Sequence, residues 1–316
     1  MTKTAIVTGV AGFIGSNLAE KLLKEKHHVI GIDSFTDYYN KKIKKNNLKN
    51  ITNNKNFTLI EEDIMKMNLI PILKKSEYLF HEAAQPGVRA SWGDQFQIYV
   101  KNNILLTQKI LENAKKVKTL KKIIMASSSS IYGNQEGKMH EEKTIPNPIS
   151  PYGTTKLAAE NLGNLYSEIF NLPIISLRYF TVYGPRQRPD MAFSRFFNAN
   201  INKKKIEIYG NGNQIRDFTF ISDIIDANIL AMKSKCKSGV FNIGGGSTHS
   251  VNQILNMIED ITGNKNFIQN KTKQNGDVVK TESDISKSKK ILKYVPKITI
   301  KEGLEKQYQW IQNKAN

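Results

Sequence analysis

Cysteine is almost missing from this 316-residue chain. Cys236 stands alone, so no internal disulfide can form, and it lacks the Cys and His neighbours of a metal site. It reads as a lysine-flanked residue near a helix end, and no metal is expected. No apolar run approaches the ~18–20 residues that a bilayer-crossing helix needs. The N-terminus passes straight into a strand pattern, so the expectation is a cytoplasmic chain without a membrane partner. Acidic residues are the scarcer charge, 28 against 47 lysines and arginines, for a net charge of +19. That excess raises nucleic acid as a partner, with lysine groups at 41–45, 115–116 and 203–205 as candidate phosphate contacts. The lysines run along the whole chain, however, without the interleaved aromatics of a stacking platform. Solvated helix faces account for them, and no nucleic acid is expected; a positive field still favours an anionic substrate. Internal repeats, linkers and low-complexity tracts are also missing, so nothing demands a separate third domain.

What is present is an alternation of strand and helix patterns. Residues 3–8 read as a strand, followed at once by Gly9-Val10-Ala11-Gly12-Phe13-Ile14-Gly15 and a helix. Gly9 permits the tight turn, Gly12 lets backbone approach a pyrophosphate, and Gly15 lets the helix pack on the strand, while the helix N-terminus offers N–H groups to negative charge. A second strand at 28–32 ends in Asp33, where a carboxylate meets the adenosine ribose. It would repel a 2′-phosphate, so NAD is expected and not NADP. The alternative is a flavodoxin-like turn without a dinucleotide. Further strands are expected at Phe57–Glu61, Tyr78–His81, 122–126 and Ile174–Tyr179, with helices near 14–26, 68–75, 95–116 and 153–170. The fold class is therefore α/β: a Rossmann-type doubly wound parallel sheet with a smaller C-terminal α/β substrate lobe. Residues 1–180 form the NAD-binding part, with a return to the sheet around 222–245, and 181–316 mainly the substrate lobe.

Tyr152 and Lys156 lie four residues apart at a helix start and share a face. A tyrosine pKa of about 10 is too high for a base at neutral pH, and a nearby ammonium favours the phenolate. The serine run Ser127-Ser128-Ser129-Ser130 at a strand end can hold a substrate hydroxyl beside that phenol. Taken singly, Tyr-x-x-x-Lys is an ordinary solvent-facing pair; together with the glycine turn and the serines it reads as catalytic.

With these motifs, and with Ile131-Tyr132-Gly133, Leu177-Arg178-Tyr179-Phe180 and Arg216-Asp217-Phe218, the chain resembles extended short-chain dehydrogenases/reductases of the nucleotide-sugar epimerase/dehydratase group over essentially its whole length. The resemblance implies NAD contacted by Gly9, Gly12, Phe13, Ile14, Gly15, Asp33, Asp63, Ile64, Ala83, Ala84, Asn103, Tyr152, Lys156 and the backbone near Tyr179. It implies catalysis by Ser128, Tyr152 and Lys156. Arg216 and Asp277 would hold the nucleotide diphosphate and ribose, and Phe193 and Tyr209 the uridine. A homodimer through the helices at 95–116 and 153–170 follows by the same analogy, although their periodicity also fits ordinary sheet packing.

Dehydratases of the group carry an Asp-Glu pair, and glucuronate decarboxylases a glutamate, where this chain has Ser128, Ser129 and Ser130. That leaves 4-epimerisation through a 4-keto sugar. Galactose-type epimerases commonly have asparagine where Thr181 stands; with Arg188 soon after, the chain looks like bacterial UDP-glucuronate 4-epimerases, whose matching residues recognise the sugar carboxylate. Arg186 and Arg188 could instead anchor the loop or pair with Asp190, which keeps UDP-glucose and UDP-N-acetylglucosamine open as substrates. Arg89 either approaches the substrate or positions its own loop. A reading of another class, a non-catalytic nucleotide or nucleic-acid binder on the same fold, also stays open.

Overall fold

The structure, a computed structural model, describes residues 3–272 and 276–315. The strands are β1 (Thr4–Thr8), β2 (His28–Asp33), β3 (Phe57–Glu61), β4 (Tyr78–His81), β5 (Lys122–Ser128), β6 (Ile174–Tyr179), β7 (Thr181–Tyr183), β8 (Lys205–Tyr209), β9 (Ile215–Phe220), β10 (Gly239–Ile243), β11 (Thr248–Ser250) and β12 (Phe267–Lys271). Seven form one sheet in the order β10-β6-β5-β4-β1-β2-β3, and every pairing in it is parallel. Helices cover both faces, as a parallel sheet requires: Ala5 and Val7 of β1 join one apolar cluster and Ile6 the other. The strand order reverses between β1 and β4, and the carboxyl ends at such a point open the crevice in which ligands of these sheets bind.

The helices are α1 (Phe13–Lys24), α2 (Lys41–Leu48), α3 (Ile70–Lys74), α4 (Phe96–Tyr99), α5 (Leu106–Ala114), α6 (Pro151–Phe170), α7 (Ala192–Ile201), α8 (Ile221–Lys233), α9 (Val251–Thr262), α10 (Ser286–Ile291) and α11 (Ile300–Ala315). Two local features differ from the sequence expectation. The lysine group at 41–45 opens a helix, α2, capped by the Asn40 side chain on the Lys42 amide. The segment expected as one helix over 95–116 is α4 and α5 joined by a π-helical stretch, Val100–Leu105. Asn103 lies in that stretch, and its amide group satisfies backbone outside the helix. Helix α6 starts where it should, with Ser150 accepting the Gly153 amide at 3.1 Å and Pro151 in the first turn.

Past β6 the chain builds smaller pieces: a three-stranded sheet, β11-β9-β7, and a parallel pair, β12-β8. Tyr183, Phe193, Phe196, Phe218 and Phe220 form an aromatic core beneath them, with ring centroids 4.8–6.5 Å apart. Among the described residues no helix is long and apolar enough to cross a membrane, and no cluster of His, Cys, Asp or Glu could hold a metal ion.

Candidate active site

A cavity of about 440 Å³ opens at the carboxyl ends of β1, β2, β4, β5 and β6. Gly9, Gly12, Phe13, Ile14, Gly15, Asp33, Asp63, Ile64, Ala83 and Ala84 line its first half. Gly9 has φ +67°, and a Cβ there would sit 2.8 Å from the Ala83 Cα; a Cβ on Gly15 would sit 2.3 Å from the Gly9 carbonyl oxygen. No side chain caps α1 at Gly12, so its first-turn N–H groups face the cavity without a capping partner from the chain. Asp33 accepts from the Ala11 and Phe35 amides at 3.0 and 2.8 Å, which ties the end of β2 to the glycine turn; burial pushes its pKa up against those two bonds. Asp63 is desolvated too, but the Met65 amide and Lys101, at 2.9 and 3.1 Å, hold its carboxyl below the usual range. A cradle that admits no Cβ, a free helix N-terminus and a carboxylate at the next strand end fit a dinucleotide.

The second half of the cavity carries the acid–base groups. Ser128, Ser129, Ser130, Tyr152, Lys156, Tyr179, Thr181 and Arg188 all line it. The Ser128 hydroxyl engages the Tyr152 phenol and also accepts the Ser130 amide at 3.1 Å. The Lys156 ammonium donates to the Ala126 carbonyl. Burial lowers Lys156 to about 8, against the pull of Glu82 and Glu160. The expected lowering of Tyr152 is not what the fold alone produces. Burial raises its pKa, and Ser128 and Arg188 only partly oppose that.

The structure also separates residues that the resemblance groups together. Asn103 is buried and does not line the cavity. It exchanges hydrogen bonds with the Gln85 backbone at 2.7 and 3.1 Å and donates to the Thr155 hydroxyl at 2.9 Å, so it clamps the β4 loop to α6. Phe193 is 2 % exposed and packs 4.8 Å from Phe218, inside the aromatic core, so the ring does not line an open uridine pocket. Arg89, Tyr209, Arg216 and Asp277 form a cluster of their own. Arg89 donates to Asp277 at 2.7 Å and stacks 3.9 Å over the Tyr209 ring, while Arg216 donates to the Val278 carbonyl at 2.6 Å. Val88, beside Arg89, lines the cavity, so this cluster continues its wall.

Arg188 combines both readings of the sequence: it lines the cavity and pairs with Asp190 through two bonds of 2.9 Å. Arg186 anchors its loop to Glu20 of α1.

Three residues of the site were not singled out from the sequence. Glu82 lines the cavity and accepts the Tyr179 hydroxyl at 2.9 Å; its position directly after β4 was the available signal. Tyr99 donates to the Pro86 and Gly87 carbonyls and meets Tyr152 edge to face at 6.3 Å. Glu160, one turn beyond Lys156 on α6, is locked by Arg178 at 2.6 and 3.0 Å and by Ser127 at 2.6 Å.

The family model described as GDP-mannose 4,6 dehydratase matches residues 6–307. The chain belongs to this family. It is the extended short-chain dehydrogenase/reductase group that the motifs resemble. An uncharacterised UDP-glucose epimerase of Bacillus subtilis is 44 % identical over 95 % of both chains. The UDP-glucuronate 4-epimerase of Thermodesulfobacterium geofontis is 39 % identical over 96 % of this chain and 95 % of its own. Among solved structures, the UDP-glucuronic acid 4-epimerase of Bacillus cereus in complex with UDP-glucuronic acid and NAD superposes with a TM-score of 0.95. It is 42 % identical to this member of the family and covers 98 % of this chain and 99 % of its own.

Proposed function

We propose that this protein is an NAD-dependent 4-epimerase of a UDP-sugar, converting UDP-glucuronate to UDP-galacturonate. The observation that carries the reading is the meeting of Ser128, Tyr152 and Lys156 with Thr181 and Arg188 on one cavity wall, with serines at 128–130. Residues 1–180, with the return around 222–245, hold the dinucleotide through the glycine turn, Asp33, Asp63, Ile64, Ala83 and Ala84. Residues 181–316 mainly hold the nucleotide sugar, with Arg216 at the diphosphate, Tyr209 at the base and Asp277 at the ribose, and Arg89 of the first part joins Arg216.

Tyr152 takes the proton of the C4 hydroxyl, and Ser128 orients that oxygen. Lys156, one helical turn after Tyr152 and lining the same cavity, would supply the positive charge that favours the phenolate, which burial alone disfavours. NAD held by the glycine turn, Asp33 and Asp63 would supply the hydride acceptor and donor that oxidation and re-reduction at C4 require. A 4-keto group β to a carboxylate invites loss of carbon dioxide, and firm holding of that carboxylate by Thr181 and Arg188 suppresses it. Asp190 favours a second reading: by neutralising Arg188 it also makes the wall suitable for a neutral sugar such as UDP-glucose.

A cytoplasmic homodimer completes the proposal. Leu105, Leu165, Ile169 and Phe170 are exposed, Ile169 by 62 %, on helices that pack side by side, and a second copy would cover them. Light scattering should give twice the chain mass.

The test is incubation of the purified protein, without added NAD, with UDP-glucuronate and separately with UDP-glucose, products being resolved by anion exchange and mass spectrometry. UDP-galacturonate from the acid supports the proposal. Conversion of UDP-glucose alone replaces the substrate, and mass loss of carbon dioxide or water refutes simple epimerisation. No turnover together with salt-dependent oligonucleotide binding would make it a binding protein instead.

A further inference from the structure

Lys156 is flanked by two carboxylates whose surroundings differ. Glu160 is spoken for: Arg178 meets it with two nitrogens and the Ser127 hydroxyl donates to it, so its charge is balanced inside the β6–α6 interface. Glu82 has no such partner. Among the described residues its carboxylate receives one hydrogen bond, from the neutral Tyr179 hydroxyl, which in turn accepts Asn228 Nδ2 at 2.8 Å.

Strand register puts Glu82 beside Lys156. His81 of β4 pairs with Met125 of β5, so Glu82 follows opposite Ala126, whose carbonyl accepts the Lys156 ammonium. Tyr179, at the end of β6, pairs with Ser128 and reaches back across β5 to Glu82. The carboxylate, held by Tyr179, and the ammonium, held by the Ala126 carbonyl, thus lie at neighbouring strand ends without touching.

We propose that Glu82 is the counter-ion of Lys156, a positioning residue that keeps the ammonium protonated beneath the Tyr152 phenol. The proposal rests on the reading of Tyr152 and Lys156 as the acid–base pair. The charged and titratable groups that face this pair are few. His81 on β4 is buried between the Thr8 and Thr107 hydroxyls and is neutral; α6 gives Tyr152 and Glu160, β6 gives Arg178 and Tyr179, and the 184–191 loop gives Arg188. Both carboxylates oppose the desolvation of Lys156, Glu82 the more, and Glu160 is bound to Arg178 as well. Burial raises Glu82 itself to about 7 and lowers Lys156 to about 8, and the charge of each opposes the shift of the other without a direct salt bridge between them.

The experiment compares the NAD-loaded enzyme with Glu82→Gln, which keeps the size and an acceptor for Tyr179, and with Glu82→Asp, which keeps the charge. Two quantities are followed: kcat on the UDP-sugar between about pH 6 and 10, and the ultraviolet difference absorbance of tyrosinate up to about pH 12, with Tyr152→Phe as the blank. In the glutamine variant the alkaline limb of kcat moves to lower pH by about one unit, since an opposite charge within reach shifts a pKa by about 1–3 units. KM is unchanged, and Tyr152 ionises at higher pH than in the parent enzyme. The aspartate variant restores the limb. Superimposable pH profiles would overturn the proposal, as would a drop in kcat by one factor at every pH, the mark of a structural or directly reacting group. If the glutamine variant does not fold, Tyr179→Phe serves. It removes the bond that favours the charged carboxylate, and an unmoved limb in that variant overturns the proposal as well. The tyrosinate titration needs no turnover, so a failure of the epimerase reading and a failure of this one give different results.

Discussion

Replacing Arg188 by alanine tests the substrate assignment most directly. Arg188 stands on the cavity wall, and two of the five N–H groups of its guanidinium go to Asp190 at 2.9 Å. The remaining N–H groups, beside Tyr38, are what a substrate carboxylate would engage. A charge-assisted contact of this kind contributes about 2–3 kcal/mol, so Arg188→Ala should lower kcat/KM for UDP-glucuronate by about 30- to 150-fold. UDP-glucose offers a hydroxymethyl group there and should lose only about fivefold, the worth of one neutral hydrogen bond of about 1 kcal/mol. Asp190 is itself partly exposed, and water can solvate it once its partner is gone, so the variant should fold. Carbon dioxide release should appear from the acid sugar, because a loosely held carboxylate β to the 4-keto group is free to leave. The assay is steady-state kinetics on both sugars with mass detection of a pentose product. Equal losses on the two sugars would refute the reasoning and reduce Arg188 to a loop anchor.

Gly15→Ala forces a Cβ to within 2.3 Å of the Gly9 carbonyl oxygen, so the purified variant should contain little NAD, read as absorbance released on denaturation, at about 1–3 kcal/mol of stability. Arg178→Met leaves Glu160 buried without its charge partner and should destabilise the fold by about 3–5 kcal/mol in urea melts; a change under about 1 kcal/mol would show that Ser127 suffices. His81 sits at about 3 in the fold against an unfolded value of about 6.5. A folded pKa below the unfolded one gives stability that is complete above pH ~6.5 and lost as pH falls toward 3. The parent protein should therefore lose about 1 kcal/mol more than His81→Gln between about pH 6.5 and 5.5. Parallel urea midpoints for the two proteins would contradict that.

The large sheet was legible because its signals are local. The glycine turn, the carboxylate after β2 and the Tyr-x-x-x-Lys spacing each specify a backbone conformation or a shared helix face within a few residues. Even β10 could be read as a return to the sheet, because Val240-Phe241-Asn242-Ile243 is an apolar strand that needs covering on both faces. The less legible residues are those whose surroundings depend on distant partners. Asn103 is defined by what the loop after β4 and helix α6 bring beside it, and nothing in its neighbours along the chain distinguishes a clamp from a ligand contact. Phe193 lies on an amphipathic helix face, and that pattern is the same whether the face covers an aromatic core or a nucleobase. The π-helical stretch escaped for a related reason: its extra residue is stabilised by the bonds Asn103 makes outside the helix.

The charge excess that the sequence announces is not where the chemistry is. In and around the cavity acids and bases are paired: Asp63 with Lys101, Glu160 with Arg178, Asp190 with Arg188. The exception is the cluster continuing the wall past Val88, where Arg89 and Arg216 share the single carboxylate of Asp277. Arg216 is desolvated there, and Arg89 repels it further, so its pKa falls below the usual arginine value. A diphosphate arriving between them would relieve that repulsion and face little competing water, whereas the same anion on the exposed lysines of α2 would meet a screened, mobile charge. On the proposed function, the local surplus at Arg89 and Arg216, and not the net +19, is the electrostatic feature that would select a nucleotide diphosphate.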